Sequence, residues 1–398
     1  MDQGRRSILK MVGAIAGACA LPAHAFAEAG SQVTLATLLP MTGSGSQYGP
    51  SMSQAANLVV SEVNAAGGLL GHPVKLINAD DQTSPEAAVR AVHQLIDIER
   101  VAGICGSWAS SVTTAVAPLC WDSKTFIASC SGADSITALP HQGFLVRTQP
   151  STRIQGRKFG EFAIDLGCKN IAFMSPQTPF AQSMTENIGA SVKAAGAAFG
   201  SLIYEDKKNS YRSEVDKVLA QKPDMVILGG YVTDNTVVLK DLYRSGYNGK
   251  ILGFAYGVNQ KLIEALPAAV TDGIYSLAPS PAQNSTAYSH LAAALKVTSV
   301  DPYACQVYDQ MNLMAMAIAR AGTSGGLAIK DNIRAFSNPG GQAVTGAAQA
   351  LPLIAQKRSV LYEGASGPCR FTESGDISTA FFRYEQIRDG RVALLKIA

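Results

Sequence analysis

Short apolar runs rich in β-branched residues alternate with longer amphipathic runs along most of the chain. In the first part this pattern predicts strands at Val33–Leu39, Val74–Ala79, Val101–Cys105 and Thr125–Ser129. It predicts helices between and after them at Gln47–Ala66, Pro85–Glu99 and Ser110–Asp122. Strands that alternate with helices indicate a parallel sheet covered by helices on both faces.

The same alternation starts again after Pro150. It predicts helices at Arg153–Leu166, Phe180–Ala195, Ser213–Ala220 and Thr233–Ser245. It predicts strands at Asn170–Met174, Ala198–Tyr204, Met225–Leu228 and Lys250–Phe254. The tail Thr379–Ile397 alternates like a β-hairpin with Asp389-Gly390 at its turn. We therefore expect an α/β fold with two doubly wound parallel-sheet units.

Charge and composition exclude several classes of protein. The chain has 398 residues, with 33 Lys plus Arg against 30 Asp plus Glu, and 47% of its residues are hydrophobic. The net charge of +3 provides no basic surface for nucleic acid or for an anionic membrane. The apolar content is too high for a disordered chain. A folded protein with large cores and no nucleic-acid partner is expected.

The N-terminal segment has the features of an export signal. Arg5-Arg6 precedes an apolar run, Met11–Leu21, and small residues at A-x-A spacing end at Ala27. Residues 1–27 are therefore predicted to be a twin-arginine-like signal peptide, which implies a periplasmic protein. An exported chain can form disulfides, but buried thiols are expected for most of the remaining cysteines. Cys105 and Cys130 form the first pair to test.

No motif in the chain points clearly to catalysis. The sequence lacks a G-x-S-x-G elbow and a phosphate-binding loop, and its histidines are not at metal-ligand spacing, so no metal or cofactor is expected. The segment Gly43–Gly49 reads G-x-G-x-x-x-G, one residue longer than a dinucleotide-binding loop. A secreted NAD-dependent oxidoreductase is the enzymatic alternative. The same loop also fits an ordinary turn or a surface that faces a small ligand.

Two hydroxyl-rich loops follow predicted strands. One is Gly106–Ser111, which opens a helix, and the other is Cys130–Asp134. Ligands of open α/β sheets bind at the carboxyl ends of the strands, and a helix N-terminus suits a carboxylate. Ser110 adds a hydroxyl donor and Trp108 adds apolar area.

An ordered set of short motifs carries a family resemblance. The set comprises Pro40-Met41-Thr42-Gly43 with Tyr48-Gly49, Glu62–Gly68, Gly106-x-x-x-Ser110, Ala115-x-Ala117-Pro118, Gly229-Gly230-Tyr231, Pro302-Tyr303-x-x-x-x-Tyr308-Asp309 and Gly367–Asp376. In this set the chain resembles the type I periplasmic solute-binding proteins of ABC importers, in the leucine/isoleucine/valine-binding family.

The resemblance implies two lobes joined by three crossovers, near Arg147–Gln149, Tyr275–Pro279 and Gly367–Thr372. Residues 28–147 and 280–366 are then expected to form the N-terminal lobe, and residues 148–279 and 367–398 the C-terminal lobe. The implied function is non-enzymatic: the monomeric protein closes on a small molecule and delivers it to an ABC permease in the inner membrane. A ligand-sensing module of a signalling system is a further alternative.

The resemblance also implies a set of binding residues. Ser110, beside Ser111, and the loop Ser131, Gly132, Ala133 and Asp134 match positions that hold the carboxylate and amino group of the ligand. The pocket wall is expected to be formed by Tyr48, Trp108, Phe180, Tyr231, Tyr303, Tyr256 and Gly257.

The position of Tyr256 departs from the family pattern. Branched-chain amino acid binders have there a Glu that pairs with the ligand's ammonium, whereas Tyr256 has no charge at neutral pH. A buried ammonium without a carboxylate partner is costly, and Asp134 is the alternative partner. A carboxylate or an amide with an aromatic or aliphatic body therefore fits the expected pocket comparably well.

Overall fold

The computed structural model of the protein describes residues 32–337 and 340–398. The predicted signal peptide at 1–27 lies outside the described residues. The strands are β1 Thr34–Leu39, β2 Lys75–Asp80, β3 Gly103–Gly106, β4 Phe126–Ser129, β5 Leu145–Arg147, β6 Asn170–Pro176, β7 Ala198–Tyr204, β8 Met225–Leu228, β9 Lys250–Phe254, β10 Tyr275–Ser280, β11 Gln342–Val344, β12 Val360–Tyr362, β13 Phe381–Arg388 and β14 Arg391–Ile397.

The helices fill the intervals between these strands. They are α1 Gly49–Ala65, α2 Pro85–His93, α3 Ser110–Asp122, α4 Asp134–Ala138, α5 Thr152–Asp165, α6 Pro179–Ala194, α7 Arg212–Leu219, α8 Val232–Arg244, α9 Gln260–Ala265, α10 Ala268–Thr271, α11 Thr286–Leu295, α12 Pro302–Ala321, α13 Gly326–Asn332 and α14 Ala347–Ala355. A π-helical turn, Gln94–Ile98, continues α2, and a 3-10 turn, Ile333–Phe336, continues α13.

The first sheet is parallel throughout, in the order β2-β1-β3-β4-β5. Its central strands β3 and β4 are buried along their whole length, as expected for strands with helices on both faces. Helix α12 is buried along most of its 20 residues and packs against α1 and β3. Even so, no helix within residues 32–337 and 340–398 is long and apolar enough to cross a membrane. We call this sheet and its helices the first lobe.

The second sheet has seven strands in the order β14-β13-β10-β9-β8-β6-β7. Strands β6 to β10 are parallel, whereas β13 pairs with β10 and with β14 in antiparallel fashion. The β13–β14 hairpin turns at Asp389 and Gly390, both at positive φ, as a two-residue hairpin turn requires. We call this sheet and helices α5 to α10 the second lobe.

The predicted fold of two doubly wound α/β units is confirmed. Helix α3 and strands β7, β8 and β9 have the predicted bounds. Strand β10, Tyr275–Ser280, was not predicted; it pairs with β9 and β13 on its two sides, and the chain leaves the second lobe directly after it, at the end of the crossover expected near Tyr275–Pro279. The second sheet is also mixed rather than wholly parallel, because the C-terminal hairpin joins it.

The chain passes between the two lobes three times: after β5, after β10 and between β12 and β13. These passages are hydrogen-bonded to one another. The backbone N–H of Ala282 donates to the carbonyl of Ala365 at 2.9 Å, and that of Arg147 donates to Gly375 at 2.9 Å. The three segments therefore form one hinge region.

Arg147 is the central charged group of this hinge, and its side chain is fully buried. Its Nε pairs with the carboxylate of Asp376, and one terminal nitrogen donates to the carbonyl of Ala133 at 2.7 Å. The other terminal nitrogen donates to Thr137 Oγ1 at 3.3 Å. A buried guanidinium is tolerated because its donors are satisfied and its charge is balanced.

The cysteines of the described chain are all buried free thiols. The expectation of buried thiols is confirmed, and the alternative Cys105–Cys130 disulfide is not formed. Burial raises the pKa of the Cys120 thiol to about 12, so this thiol stays protonated and unreactive at neutral pH.

Replacing Arg147 with methionine should destabilise the protein by about 3 kcal/mol, because the partly buried Asp376 and the carbonyl of Ala133 lose their donor. The free energy of unfolding in urea is the measurement, and Arg358→Met at an exposed position is the control. Equal stability of the two variants, within about 0.5 kcal/mol, would contradict this role.

Candidate solute-binding cleft

A cleft lies between the lobes, at the carboxyl ends of strands from both sheets. From the first lobe it is lined by residues that follow β3 and β4, among them Trp108, Ser110 and Gly132. From the second lobe it is lined by residues that follow β8 and β9, among them Tyr231 and Tyr256. This is the edge at which open α/β sheets bind their ligands.

Trp108 stands at the centre of a cluster of aromatic rings in this cleft. Its ring centroid lies 5.5 Å from Tyr48 and 5.6 Å from Tyr303, both in the first lobe. It also lies 6.0 Å from Tyr231 and 6.0 Å from Tyr256, both in the second lobe. Because aromatic pairs at such distances contribute about 0.5–1.5 kcal/mol each beyond their buried area, the cluster holds the lobes closed.

A polar contact supports the same closure. The side-chain amide of Gln47 in the first lobe donates to the carbonyl of Tyr256 in the second at 2.9 Å. Asn259 of the second lobe donates to the Gln47 side-chain oxygen at 3.2 Å. The two bonds join the Gly43–Gly49 loop to the start of α9.

The N-terminus of α3 lies at one wall of the cleft. The helix begins at Ser110, and its first-turn N–H groups have no intrahelical acceptor. The preceding residue, Ala109, has no side-chain acceptor that could cap them. Ser110 Oγ accepts a hydrogen bond from the backbone N–H of Ala133 at 3.2 Å, which leaves its own O–H to donate. Free donors and the positive end of the helix dipole suit a carboxylate.

The loop after β4 is mainly structural, apart from Gly132. Ser131 is buried, and its hydroxyl donates to the carbonyl of Ser107 at 2.7 Å. The Asp134 carboxylate accepts from the backbone N–H of Arg153 at 3.2 Å and from Asn187 at 2.7 Å, both in the second lobe. Asp134 thus connects the lobes beside the hinge and does not line the cleft.

Tyr256 gives the second-lobe wall an uncharged face. Its hydroxyl donates to the carbonyl of Gly229 at 2.9 Å, and its ring stacks on Phe254 with centroids 5.2 Å apart. Burial raises the pKa of Tyr256 well above its usual value, so the hydroxyl is neutral. Gly257 lies behind it, where a Cβ would come within 2.1 Å of the carbonyl of Gly230.

Most of the residues predicted for the site line this cleft. They are Tyr48, Trp108, Ser110, Ser111, Gly132, Phe180, Tyr231, Tyr256 and Tyr303. Four other predicted residues lie around the cleft but do not line it, namely Ser131, Ala133, Asp134 and Gly257.

Sequence reasoning missed the polar groups of the cleft that come from distant parts of the chain. These are Gln149, Gln155, Thr178, Asp301 and Arg383. Asp301 had a local signal, since an Asp before a proline is typical of a helix start. Arg383 lies in the alternating tail, which predicts its strand but not the sheet that this strand joins.

The glycine-rich loop Gly43–Gly49 is shaped by close packing. A Cβ on Gly43 would come within 2.1 Å of the carbonyl of Gln82, and one on Gly45 within 2.7 Å of the Trp108 ring. Asp80, the acidic residue at the end of β2, accepts from the Thr42 hydroxyl at 2.7 Å and so holds this loop. Its glycines thus let the loop approach Trp108 at the cleft.

A comparison with known families gives the cleft its context. The profile of the periplasmic binding protein family matches residues 32–378. The chain belongs to the periplasmic binding protein family.

Relatives of this periplasmic binding protein are binding proteins too. A leucine-, isoleucine-, valine-, threonine- and alanine-binding protein of Pseudomonas aeruginosa is 23% identical over 79% of this chain and 86% of its own. A solved leucine-binding protein of Thermotoga maritima has a TM-score of 0.78 at 20% identity, covering 92% of this chain and 98% of that one. A Rhodopseudomonas palustris solute-binding protein in complex with benzoate has a TM-score of 0.72 at 18% identity, covering 92% and 96%.

These likenesses support the binding-protein interpretation rather than the dehydrogenase alternative. The two solved structures share the fold, with a solute present in the second. The predicted family and fold class are both confirmed.

Valine in place of Gly132 should act as a wedge that prevents the two lobes from closing fully at the cleft. A Cβ there would lie 2.7 Å from Gln155 Nε2 and 3.0 Å from the Phe180 ring, both in the second lobe. In a Trp121→Phe background, where Trp108 is the one tryptophan left, the wedge should increase acrylamide quenching of Trp108 fluorescence. The quenching is measured in the presence of the solute that raises the melting temperature of the wild-type protein most.

The control for this wedge is Gly346→Val, because a Cβ at Gly346 would have no atom closer than 3.5 Å. Equal quenching of Trp108 in the two variants would show that the lobes do not close at Gly132.

Proposed function

We propose that this periplasmic binding protein is exported, binds a small amphipathic carboxylate in the cleft as a monomer, and delivers it to an ABC permease of the inner membrane. The observation that carries the proposal is the aromatic cluster around Trp108, which takes rings from both lobes and faces the free N-terminus of α3. Solute binding would then be coupled to lobe closure, because each lobe supplies part of the wall.

The carboxylate of the solute binds at the start of α3. Ser110 donates its hydroxyl, and the first-turn N–H groups supply further donors in a buried setting. Hydrogen bonds to a charged group contribute about 1.5–3 kcal/mol, so this wall anchors the solute.

The body of the solute is aromatic or aliphatic, and a primary ammonium is not required. The position of Tyr256 carries no charge, and its hydroxyl is already bonded to Gly229. The Asp134 carboxylate is engaged by Asn187 and the N–H of Arg153, so it is not available to an ammonium. At the wall formed by Tyr256, aromatic acids and branched aliphatic acids therefore fit better than free amino acids.

Location and partner are part of the proposal. The twin arginines and the A-x-A spacing of residues 1–27 support export, and the family likeness supports a periplasmic location. The names of the relatives describe solute binding, which supports hand-over to a permease.

A thermal-shift panel of aromatic acids, aliphatic acids, amides and amino acids tests the proposal. A solute at about 100 times its dissociation constant should stabilise the protein by about 2.7 kcal/mol. Ser110→Ala should weaken binding of the best carboxylate about tenfold or more, because a charge-assisted hydrogen bond is lost. Isothermal titration calorimetry measures this change.

The matched control is Ser359→Ala, which is exposed and remote from the cleft, and it should bind like the wild type. Stabilisation by leucine but not by aromatic acids would overturn the assignment of Tyr256. Undiminished carboxylate binding by Ser110→Ala would overturn the anion site.

A further inference from the structure

Two charged side chains line the cleft within the described part of the chain, and the proposed function uses neither of them. They are Asp301, at the start of α12 in the first lobe, and Arg383, on β13 in the second lobe. No ion pair joins them in residues 32–337 and 340–398. Both are therefore able to contact a solute.

Arg383 is directed to the cleft by the strand that carries it. It pairs in register with Ala278 of β10, which also lines the cleft. Its neighbours Phe382 and Tyr384 point to the opposite face, into the apolar core of the second lobe. A register shift interrupts the β13–β14 pairing between Tyr384 and Glu385, and such irregularities often re-aim a side chain beside a site.

The donors of Arg383 are free. A guanidinium has five N–H groups, and within the described residues Arg383 donates none of them in a hydrogen bond. Its Nε is buried and lies 3.3 Å from Oε1 of Glu385 without pointing at it. Glu385 itself is buried and accepts from Ser276 at 2.9 Å. The charge of Arg383 is thus balanced by Glu385, while the N–H groups of Arg383 have no hydrogen-bond acceptor among the described residues.

Asp301 retains one site for a donor. A carboxylate has about four lone-pair sites. Oδ1 of Asp301 accepts from the backbone N–H groups of Tyr303 and Ala304, and Oδ2 accepts from the Ser51 hydroxyl at 2.5 Å. One lone pair on Oδ2 therefore remains at the cleft wall.

Charge decides which chemical group fits between these side chains. Because Glu385 already balances Arg383, the carboxylate of Asp301 leaves this end of the cleft with a surplus negative charge. A second carboxylate on the solute would be repelled there. A hydroxyl would accept from Arg383 and donate to Asp301, and so would satisfy both.

We propose that the solute is a hydroxy-substituted aromatic carboxylate, whose hydroxyl is held by Arg383 and Asp301 and whose carboxylate is held at Ser110. This inference rests on the proposed function, since it assumes a carboxylate at the start of α3. The aromatic ring then lies among Tyr48, Trp108 and Tyr303, which line the cleft beside Arg383 and Asp301.

The experiment compares matched acids of two lengths by isothermal titration calorimetry with the mature protein. The first set is benzoate, 4-hydroxybenzoate and terephthalate, and the second is phenylacetate, 4-hydroxyphenylacetate and 4-carboxyphenylacetate. In at least one set the hydroxy acid should bind about tenfold or more tighter than the plain acid, because it adds a hydrogen bond to a charged group. The dicarboxylate of that set should bind more weakly than the hydroxy acid.

Arg383→Met should remove the advantage of the hydroxy acid over the plain acid, because the methionine keeps the bulk but has no donor. Asp301→Asn should act in the same direction. Asparagine keeps the helix cap but places an N–H donor where the free acceptor was. Arg388→Met, at the exposed end of the same strand, is the control and should preserve the preference.

The outcomes separate the two proposals. Equal affinity for hydroxy and plain acids, or an unchanged preference in Arg383→Met, overturns the role of Arg383 but leaves the carboxylate site standing. A dicarboxylate that binds tighter than its hydroxy counterpart also overturns it. Failure of every acid in both sets to bind overturns this inference, whereas the proposed function is overturned only if the thermal-shift panel also finds no carboxylate that binds.

Discussion

The geometry of the cleft depends on one buried cation at the hinge. Arg147 ends the last strand of the first sheet, and its charge must be balanced in an environment from which water is excluded. The groups that satisfy it come from separate segments: the carbonyl of Ala133, the Thr137 hydroxyl and the Asp376 carboxylate. One side chain thereby fixes the loop behind Ser110, the short helix α4 and the third passage between the lobes, so the proposed anion site and the hinge share a support.

Local sequence signals were sufficient for most of the fold. Helix α3 and strands β7 to β9 were predicted with their observed bounds, because their apolar periodicity and their flanking turn residues agree. Strand β10 was missed because its role depends on partners that lie far apart in the chain. The antiparallel docking of the tail was likewise hidden, since alternation predicts a strand but not the sheet edge that it joins.

The residues of the candidate site show the same difference between local sequence signals and contacts with distant parts of the chain. Trp108 and Ser110 follow β3 directly, so the rule that ligands gather at the carboxyl ends of parallel strands was enough to find them, whereas Tyr231 and Tyr256 were expected from the family resemblance. Asp134 follows a strand as well, yet its carboxylate is taken by Asn187 of the other lobe, a contact that no local pattern encodes. Arg383 reaches the cleft through the antiparallel pairing of β13 with β10, and for that reason the sequence alone did not mark it.

The C-terminal hairpin also has a consequence for how the protein reaches its folded state. Strand β13 covers one side of β10, and without it β10 would be an open sheet edge with unpaired N–H and C=O groups. Such an edge can pair with another chain, and it stays open until Phe381–Arg388 are available. Synthesis proceeds from the N-terminus, so the second lobe cannot finish its sheet while its own C-terminal strands are missing. Arg383, which lines the cleft, lies on this same strand, so the strand that protects β10 from aggregation and a residue of the cleft are synthesised together.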